Sequence, residues 1–518
     1  MRPGVPWGDR AWLALVAIAF LAWHVPLMYA TAPGLDEDWF GVPGITILRS
    51  GLPRIPYLPS RDLTSFCYRA DVALYALPPL SFYLQAASHL LLGDGIGPAR
   101  MASAAEGLAA AYLVYVLALR WSGDRRGAIL ASASYVASRA FFFPATTARP
   151  DMAVTAFGLL AIGLIDRARL DDGRPRFAAA AGASVGLALL CHPFAVVPAS
   201  QAAIRALAGP GPIGRRLRAA AAFSAVALAV FSLWGLLILR HPDLFRIQFG
   251  NNVLNRAGPG LGATLLAPAS VLAFHAKQAL ERVTPIQLGL YALGLAWAGV
   301  RAWRPGPARE SLYHLAASVV LLVFFEGRHP TLGYYAYPAA FASIALGTAA
   351  SDLIRLGERR AGRWSPALPP LVAVGLLAAF LPGSGLRPLM VHLRHRDDPA
   401  HDARSVARAI MLDVPRGSLA AVDGAFVMEF YLAGRPVVEA AINTGPFDFR
   451  TEPYEYAVLG RAWGGTRVPP IEGLEFVKSY GDRADEFAPY AELYRRPALS
   501  GSNRPTAAPG PPDAGSRR

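Results

Sequence analysis

Lysine and cysteine are the scarce residues of this chain. Only two lysines, Lys277 and Lys478, occur in 518 residues, so a net charge of +14 is carried by arginine. The arginines stand in short clusters between apolar runs, a distribution that membrane orientation explains and that argues against a nucleic-acid partner. Two cysteines, Cys67 and Cys191, permit at most one disulfide and cannot build a CxxC metal site. There is no H-E-x-x-H, G-x-S-x-G or Walker A motif, and no convincing G-x-G-x-x-G between a strand and a helix. A cytoplasmic nucleotide site is thereby disfavoured. Charged residues make up just 17%.

Apolar residues, by contrast, make up 54% of the chain and mean hydropathy is +0.33. Hydrophobic segments fall near 11–30, 73–92, 101–119, 127–144, 152–166, 177–191, 193–207, 219–239, 285–303, 311–326, 331–351 and 366–382. This is an α-helical polytopic membrane protein. The first segment follows Arg2 and Arg10 without an A-x-A cleavage site, and reads as a retained transmembrane helix. If 73–92 does not cross, the arginine clusters at 120–126, 167–176, 205–218, 301–309 and 355–363 all lie on the cytoplasmic side. That segment carries Pro78, Pro79, Gln85 and His89, which suits an interfacial or re-entrant helix. The solution has about eleven transmembrane helices, a cytoplasmic N-terminus, and two short helices turning at Cys191-His192-Pro193. It puts residues 31–100, the Arg149-Pro150-Asp151 corner, His192, the 241–284 loop, the Arg328-His329 corner and everything after 382 on one outer face.

Residues 1–382 therefore form a transmembrane domain with a first outer loop at 31–100. A small extracytoplasmic α/β domain is expected over 383–497. In it HDARSVARAIML and GAFVMEFYLAG read as helices, and SLAAVD and RPVVEAA as strands. The Pro/Gly/Ser-rich end, 498–518, reads as a disordered tail. Neither a solenoid repeat nor a clear inverted repeat is present.

The unusual polar groups all fall on the outer face. Asp36-Glu37-Asp38 follows the first helix; such acids can cap a helix, but a carboxylate there can also take a proton from a hydroxyl arriving through water. In TTARPDMAVTAF, Pro150 and Asp151 make a good helix start, whereas Arg149 departs from the orientation rule and asks for an anionic partner. The Pro in CHPFAVVP accounts for a helix break, with His192 a candidate phosphate contact. In EGRHPTLGYYAYP the tyrosines suit an interfacial aromatic belt, and Arg328 and His329 add two donors for a phosphate. An extracytoplasmic enzyme has no nucleotide sugar or ATP to use, so an activated substrate must arrive on a lipid.

The acids after the first helix, LPPLSFYLQAASHLLLGDGIGPARMASA, ARPDMAVTAF, the His-Pro turn and the late Tyr-Tyr…Pro helix together resemble the GT-C glycosyltransferases. The branch in question holds the protein O-mannosyltransferases, the aminoarabinose transferases of lipid A, and bacterial relatives including lipopolysaccharide-core galacturonosyltransferases. The resemblance spans roughly residues 10–350. It implies transfer of a sugar from a polyprenyl-phosphate donor to an extracytoplasmic hydroxyl on a lipid, glycan or protein, in a bacterial inner membrane, without nucleic acid. It makes Asp36 the catalytic base and Glu37 its neighbour that orients the acceptor or holds a metal, with Asp151 as second acid. Arg100, Arg328 and Tyr335 match donor-phosphate positions, to which Arg149, His192 and His329 add further donors. A divalent metal, if used, would sit on Asp36, Glu37 and Asp151. The segment departs from the family in having Leu77 before Pro78-Pro79 and Ser81-Phe82-Tyr83 where paired tyrosines are common. Against this stand a transporter or lipid-linked sugar flippase, which would place its ionisable groups near the bilayer midplane, and a non-catalytic scaffold in envelope assembly.

Overall fold

The computed structural model describes residues 7–34, 36–170, 175–208, 211–255, 262, 264–303, 307–328, 331–360, 366–440, 453–461 and 473–497. Every one of the twelve apolar segments contains a helix. Five of the described helices are long and apolar enough to cross a membrane: Gly8–Ala30, Ile96–Ser122, Ile213–Ile238, Ala308–Glu326 and Leu332–Arg360. A sixth forms if Arg125–Ala137 and Arg139–Thr146, bent by 59°, count as one span. The bend falls at Ser138, whose extended backbone stops the first helix and whose hydroxyl accepts the Phe141 amide of the second. The other segments are helical but shorter or more polar, so five or six spans are found among the described residues where about eleven were expected.

The segment read as interfacial is the helix Leu80–Leu92. Its 13 residues rise roughly 20 Å, short of a ~30 Å hydrocarbon core. It buries Gln85 and His89 while exposing Leu90 and Leu91, the reverse of a helix whose outer surface meets water. The turn expected at residues 191–193 is also present: Pro175–Cys191 ends, His192 is extended, and Pro193–Ala195 leads into Val196–Leu207.

Ion pairs gather at one end of the bundle. Arg125 holds Asp9, Arg355 holds Asp124, Arg126 holds Glu358, Arg301 holds Asp352, and Arg205 joins Asp166 to Glu310. These are the helix ends that charge distribution assigns to a common side. At the opposite end the 241–284 loop is not loose. The buried Gln248 donates to the carbonyls of Tyr68 and Ala73 and accepts the Tyr75 amide, and Asn252 donates to Ala76.

The C-terminal unit is a five-stranded sheet, β1 (Ala420–Val422), β2 (Val437–Glu439), β3 (Tyr456–Gly460), β4 (Glu475–Tyr480) and β5 (Ala491–Arg495), in the order β2-β1-β3-β5-β4. The first three strands are parallel and the last two pairings antiparallel. Helices Ala403–Asp413 and Gly424–Leu432 cover it, as the sequence predicts, and the tail 498–518 lies outside the described residues. The boundary near 383, however, does not separate two cores. Phe40, Ile55, Tyr57 and Leu74 of the first outer loop share one apolar cluster with Val406, Ile410, Phe426 and Phe430 of the C-terminal unit. The backbone joins too, since the Glu439 amide donates to the Tyr57 carbonyl at 2.8 Å.

A shared core makes the two parts melt together. Phe426→Ala, at a 1% exposed position, is expected to cost about 3–5 kcal/mol. Limited proteolysis of this variant should open cleavage sites in 31–79 as well as in 403–497; cleavage confined to the C-terminal unit would show that the cores are independent.

Candidate functional site

The acidic run after the first helix is divided among different partners. Asp36 adopts a left-handed backbone (φ 73°), which an Asp tolerates better than most residues, and starts the single helical turn Glu37–Phe40. This geometry sends successive side chains in different directions. Glu37 is buried against Arg100, whose Nε and Nη2 donate to it at 2.7 and 2.6 Å, and it also accepts the amides of Ala148 and Gly34. The remaining Arg100 donors satisfy the carbonyls of Met28, Thr31 and Ala32, where the first helix ends and its carbonyls lack partners. Arg100, for which a phosphate contact was expected, is thus engaged in tying the first helix to the outer loop, an internal place. Glu37, with four donors of its own, is equally spoken for.

Arg149 is buried (side chain 4% exposed) and bridges two loops. Its Nη1 donates to Asp36 at 2.7 Å and its Nε to Asp151 at 2.9 Å, with Phe40 beneath the guanidinium. Burial alone would favour the neutral form, but the two carboxylates hold this guanidinium firmly charged. Asp151 is fully buried at the helix start, packed so closely on Gly333 that a Cβ there would lie 2.5 Å from its carboxylate. Asp36 is 40% exposed.

Two cavities meet at Asp36. The inner one, about 250 Å³, is lined by Asp36, Arg149, His192, Asn252, Thr331 and Tyr334 together with apolar residues of the first loop. His192 accepts the Phe194 amide on Nδ1, which puts its proton on Nε2 and makes it a donor. Tyr334 stacks on Phe194 with rings 4.4 Å apart. The outer cavity, about 480 Å³, lies between the first loop and the C-terminal unit, and Asp36 and Trp39 line both. On its wall Glu439 accepts the Trp39 indole N–H at 3.1 Å and pairs with Asp38. Burial pushes the Glu439 carboxyl well above the usual range, with Asp38 adding to it; burial likewise raises Asp38 to about 6.

Other expectations fare differently. Arg328 is exposed and donates to Ser270, and Tyr335 pairs with His275 at 3.1 Å; neither lines the inner cavity, where Thr331 and Tyr334 of the same corner stand instead. His329 lies outside the described residues. Asp36, Glu37 and Asp151 do not converge on a cation position, because Arg149 lies between Asp36 and Asp151 and Arg100 holds Glu37. The three acids on which a divalent metal was expected therefore form no common cluster among the described residues. A grouping of His395, Asp398 and His401 exists on the C-terminal unit, but its imidazoles stack 3.9 Å apart and cannot both aim in-plane lone pairs at one ion. Cys67 and Cys191 are separate free thiols. Sequence reasoning named Asp38 within the acidic run without giving it a role and passed over Glu439 and Trp39, although the acid run and the RPVVEA strand held the signal.

Breaking the buried pair with Glu37→Gln should destabilise the protein by about 3–5 kcal/mol, because Arg100 keeps its charge without a counter-ion; thermal unfolding in detergent checks it. For the Asp38–Glu439 pair, folded-state pKa values lie above those of the unfolded chain. The folded state therefore holds protons that the unfolded state releases, so this contribution is full below pH ~4 and is lost as pH rises, for Asp38 through about 6 and for Glu439 through the raised folded-state value. The melting temperature of Glu439→Gln should accordingly fall less than that of wild type between pH 4.5 and 8.

Residues 76–236 match the family model of dolichyl-phosphate-mannose-protein mannosyltransferases. No curated protein matches the sequence significantly. The fold is similar to that of ArnT from Cupriavidus metallidurans bound to undecaprenyl phosphate, with a TM-score of 0.58 and 17% identity over 95% of this chain and 99% of that one. It is also similar to the oligosaccharyltransferase AglB from Archaeoglobus fulgidus in complex with an inhibitory peptide and a dolichol-phosphate, with a TM-score of 0.52 and 13% identity over 88% of this chain and 70% of that one. With the apolar helices, the segment 76–236 and the outer site in view, the chain is a membrane protein that shares the fold of ArnT and AglB.

Proposed function

We propose that the chain transfers a sugar from a polyprenyl-phosphate donor to a hydroxyl on the outer face of a bacterial inner membrane. The observation that carries this is the position of Asp36, shared by an inner cavity holding Arg149 and His192 and an outer cavity open toward the C-terminal unit. In this reading the donor's phosphate occupies the inner cavity and the acceptor enters from the outer one. Asp36 takes the acceptor's hydroxyl proton as the oxygen attacks the anomeric carbon. The bond from that carbon to the phosphate oxygen breaks with its electron pair, and the configuration inverts. The leaving group is an anion, so it needs charge stabilisation rather than a proton; Arg149 and His192 Nε2–H supply it. Asp151 acts through Arg149, as a positioning residue. Support comes from the family match over 76–236 and from the lipid phosphates named in the two similar structures. The N-terminus is cytoplasmic and the C-terminal unit extracytoplasmic, on the strength of the arginine distribution.

The test pairs chemistry with binding. Mass spectrometry of envelope glycans and glycolipids from cells lacking the protein should show a lost sugar that wild type restores. Asp36→Asn keeps the left-handed turn accessible and should restore less than a hundredth, matching the 10²–10⁴-fold loss typical of a missing base. The purified variant should still bind undecaprenyl phosphate, whereas Arg149→Gln should bind it about tenfold or more weakly. Full restoration by Asp36→Asn overturns the role of the base.

A further inference from the structure

The outer cavity has a chemical character opposite to that of the inner one. Its charged groups are mostly carboxylates: Asp36 at the shared wall, then Asp38, Asp423 and Glu439. Several are already occupied. Asp36 answers Arg149, and Asp423 caps the helix Gly424–Leu432 by accepting the Ala425 amide. At the rim, Glu486 pairs with Arg387, and His401 lies between Asp398 and Asp485. Arg461, the arginine on this wall, spends Nη1 and Nη2 on the carbonyls of Arg483, Asp482, Asp485 and Ala488. It offers those groups to the chain, not to a ligand.

The pair that remains is Asp38 with Glu439. Glu439 is 3% exposed, and its Oε2 meets no donor among the described residues. A buried acceptor without a donor is costly, of a kind a ligand hydroxyl would relieve. Asp38 and Glu439 line the same wall, and burial favours the protonated form of each, so the wall can donate to as well as accept from neighbouring hydroxyls. Beside them Trp39, fixed by its bond to Glu439 and by Phe66 at 5.1 Å, offers an aromatic surface common to both cavities. A second anion brought into this volume would face like charge, with no uncommitted cation among the described residues that line it.

Resting on the proposed transferase reading, we infer that the outer cavity is the acceptor subsite for an uncharged saccharide, held through neighbouring hydroxyls by the Asp38–Glu439 pair against Trp39, and that it rejects anionic acceptors.

The full chain in lipid nanodiscs can be tested by saturation-transfer NMR against three sugars of one ring type: methyl glucoside, glucosamine and glucuronate. Wild type should bind the glucoside at least about tenfold more tightly than glucuronate, and the double variant Asp38→Asn/Glu439→Gln should narrow that gap to about threefold or less. Equal binding of glucuronate by wild type overturns the inference, as does no glucoside binding at millimolar concentration, or glucosamine binding tenfold tighter than the glucoside. Undecaprenyl phosphate binding, measured on the same samples, controls for folding and separates the two levels. If it persists while the sugar pattern fails, only the acceptor assignment falls; if wild type does not bind the lipid phosphate, the transferase reading falls with it.

Discussion

Two guanidinium groups, buried where the helices emerge on one side of the bundle, set the geometry of everything around them. A buried arginine costs several kcal/mol unless its charge is matched and its donors are used. Arg100 and Arg149 meet that demand by recruiting residues far apart in the chain: Glu37 and the end of the first helix for one, Asp36 and Asp151 for the other. Because Asp36 and Glu37 are consecutive and bound to different arginines, the loop backbone between them has little freedom. The left-handed turn at Asp36 is the backbone conformation that lets both pairs form at once.

That constraint explains why the site is asymmetric. On the inner side the arginine, a neutral imidazole donor and tyrosine make a wall suited to phosphate. On the outer side carboxyls and an indole make one suited to hydroxyls. Asp36 belongs to both because it is the exposed member of an otherwise buried network, 40% accessible where Glu37 and Asp151 are nearly or wholly enclosed. A proton acceptor must be reachable from water and yet held in place. Asp36 meets both conditions and its neighbours do not.

Much of this was legible from residue order alone. The apolar runs, the turn at His192, a short helix within 73–92 and the gathering of arginines at one end follow from hydropathy and from where charge is tolerated. That Asp36, Arg149 and His192 would stand together followed from polar groups at helix ends on a single side. What could not be read was which acid meets which base. Arg100 stands at a position where a phosphate contact was expected, but pairing across 63 residues with Glu37 absorbs it. Tyr334 and Tyr335 are adjacent, and only their places on a 3-10 turn decide which faces the cavity. Glu439 lay in a strand of ordinary composition, and its meaning comes from contact with Trp39, 400 residues earlier.

The shared core of the outer loop and the C-terminal unit has a consequence for how the protein is made. Trp39 leaves the ribosome 400 residues before its partner Glu439, and synthesis at 5–20 residues per second separates them by roughly 20–80 s. Throughout that interval the loop bearing Asp36 lacks the part of its apolar core that Val406, Ile410, Phe426 and Phe430 supply. The surface around Asp36 is therefore completed only when the C-terminal unit has been made, and a ribosome that stalls anywhere in the bundle leaves behind an inserted chain with that surface unfinished.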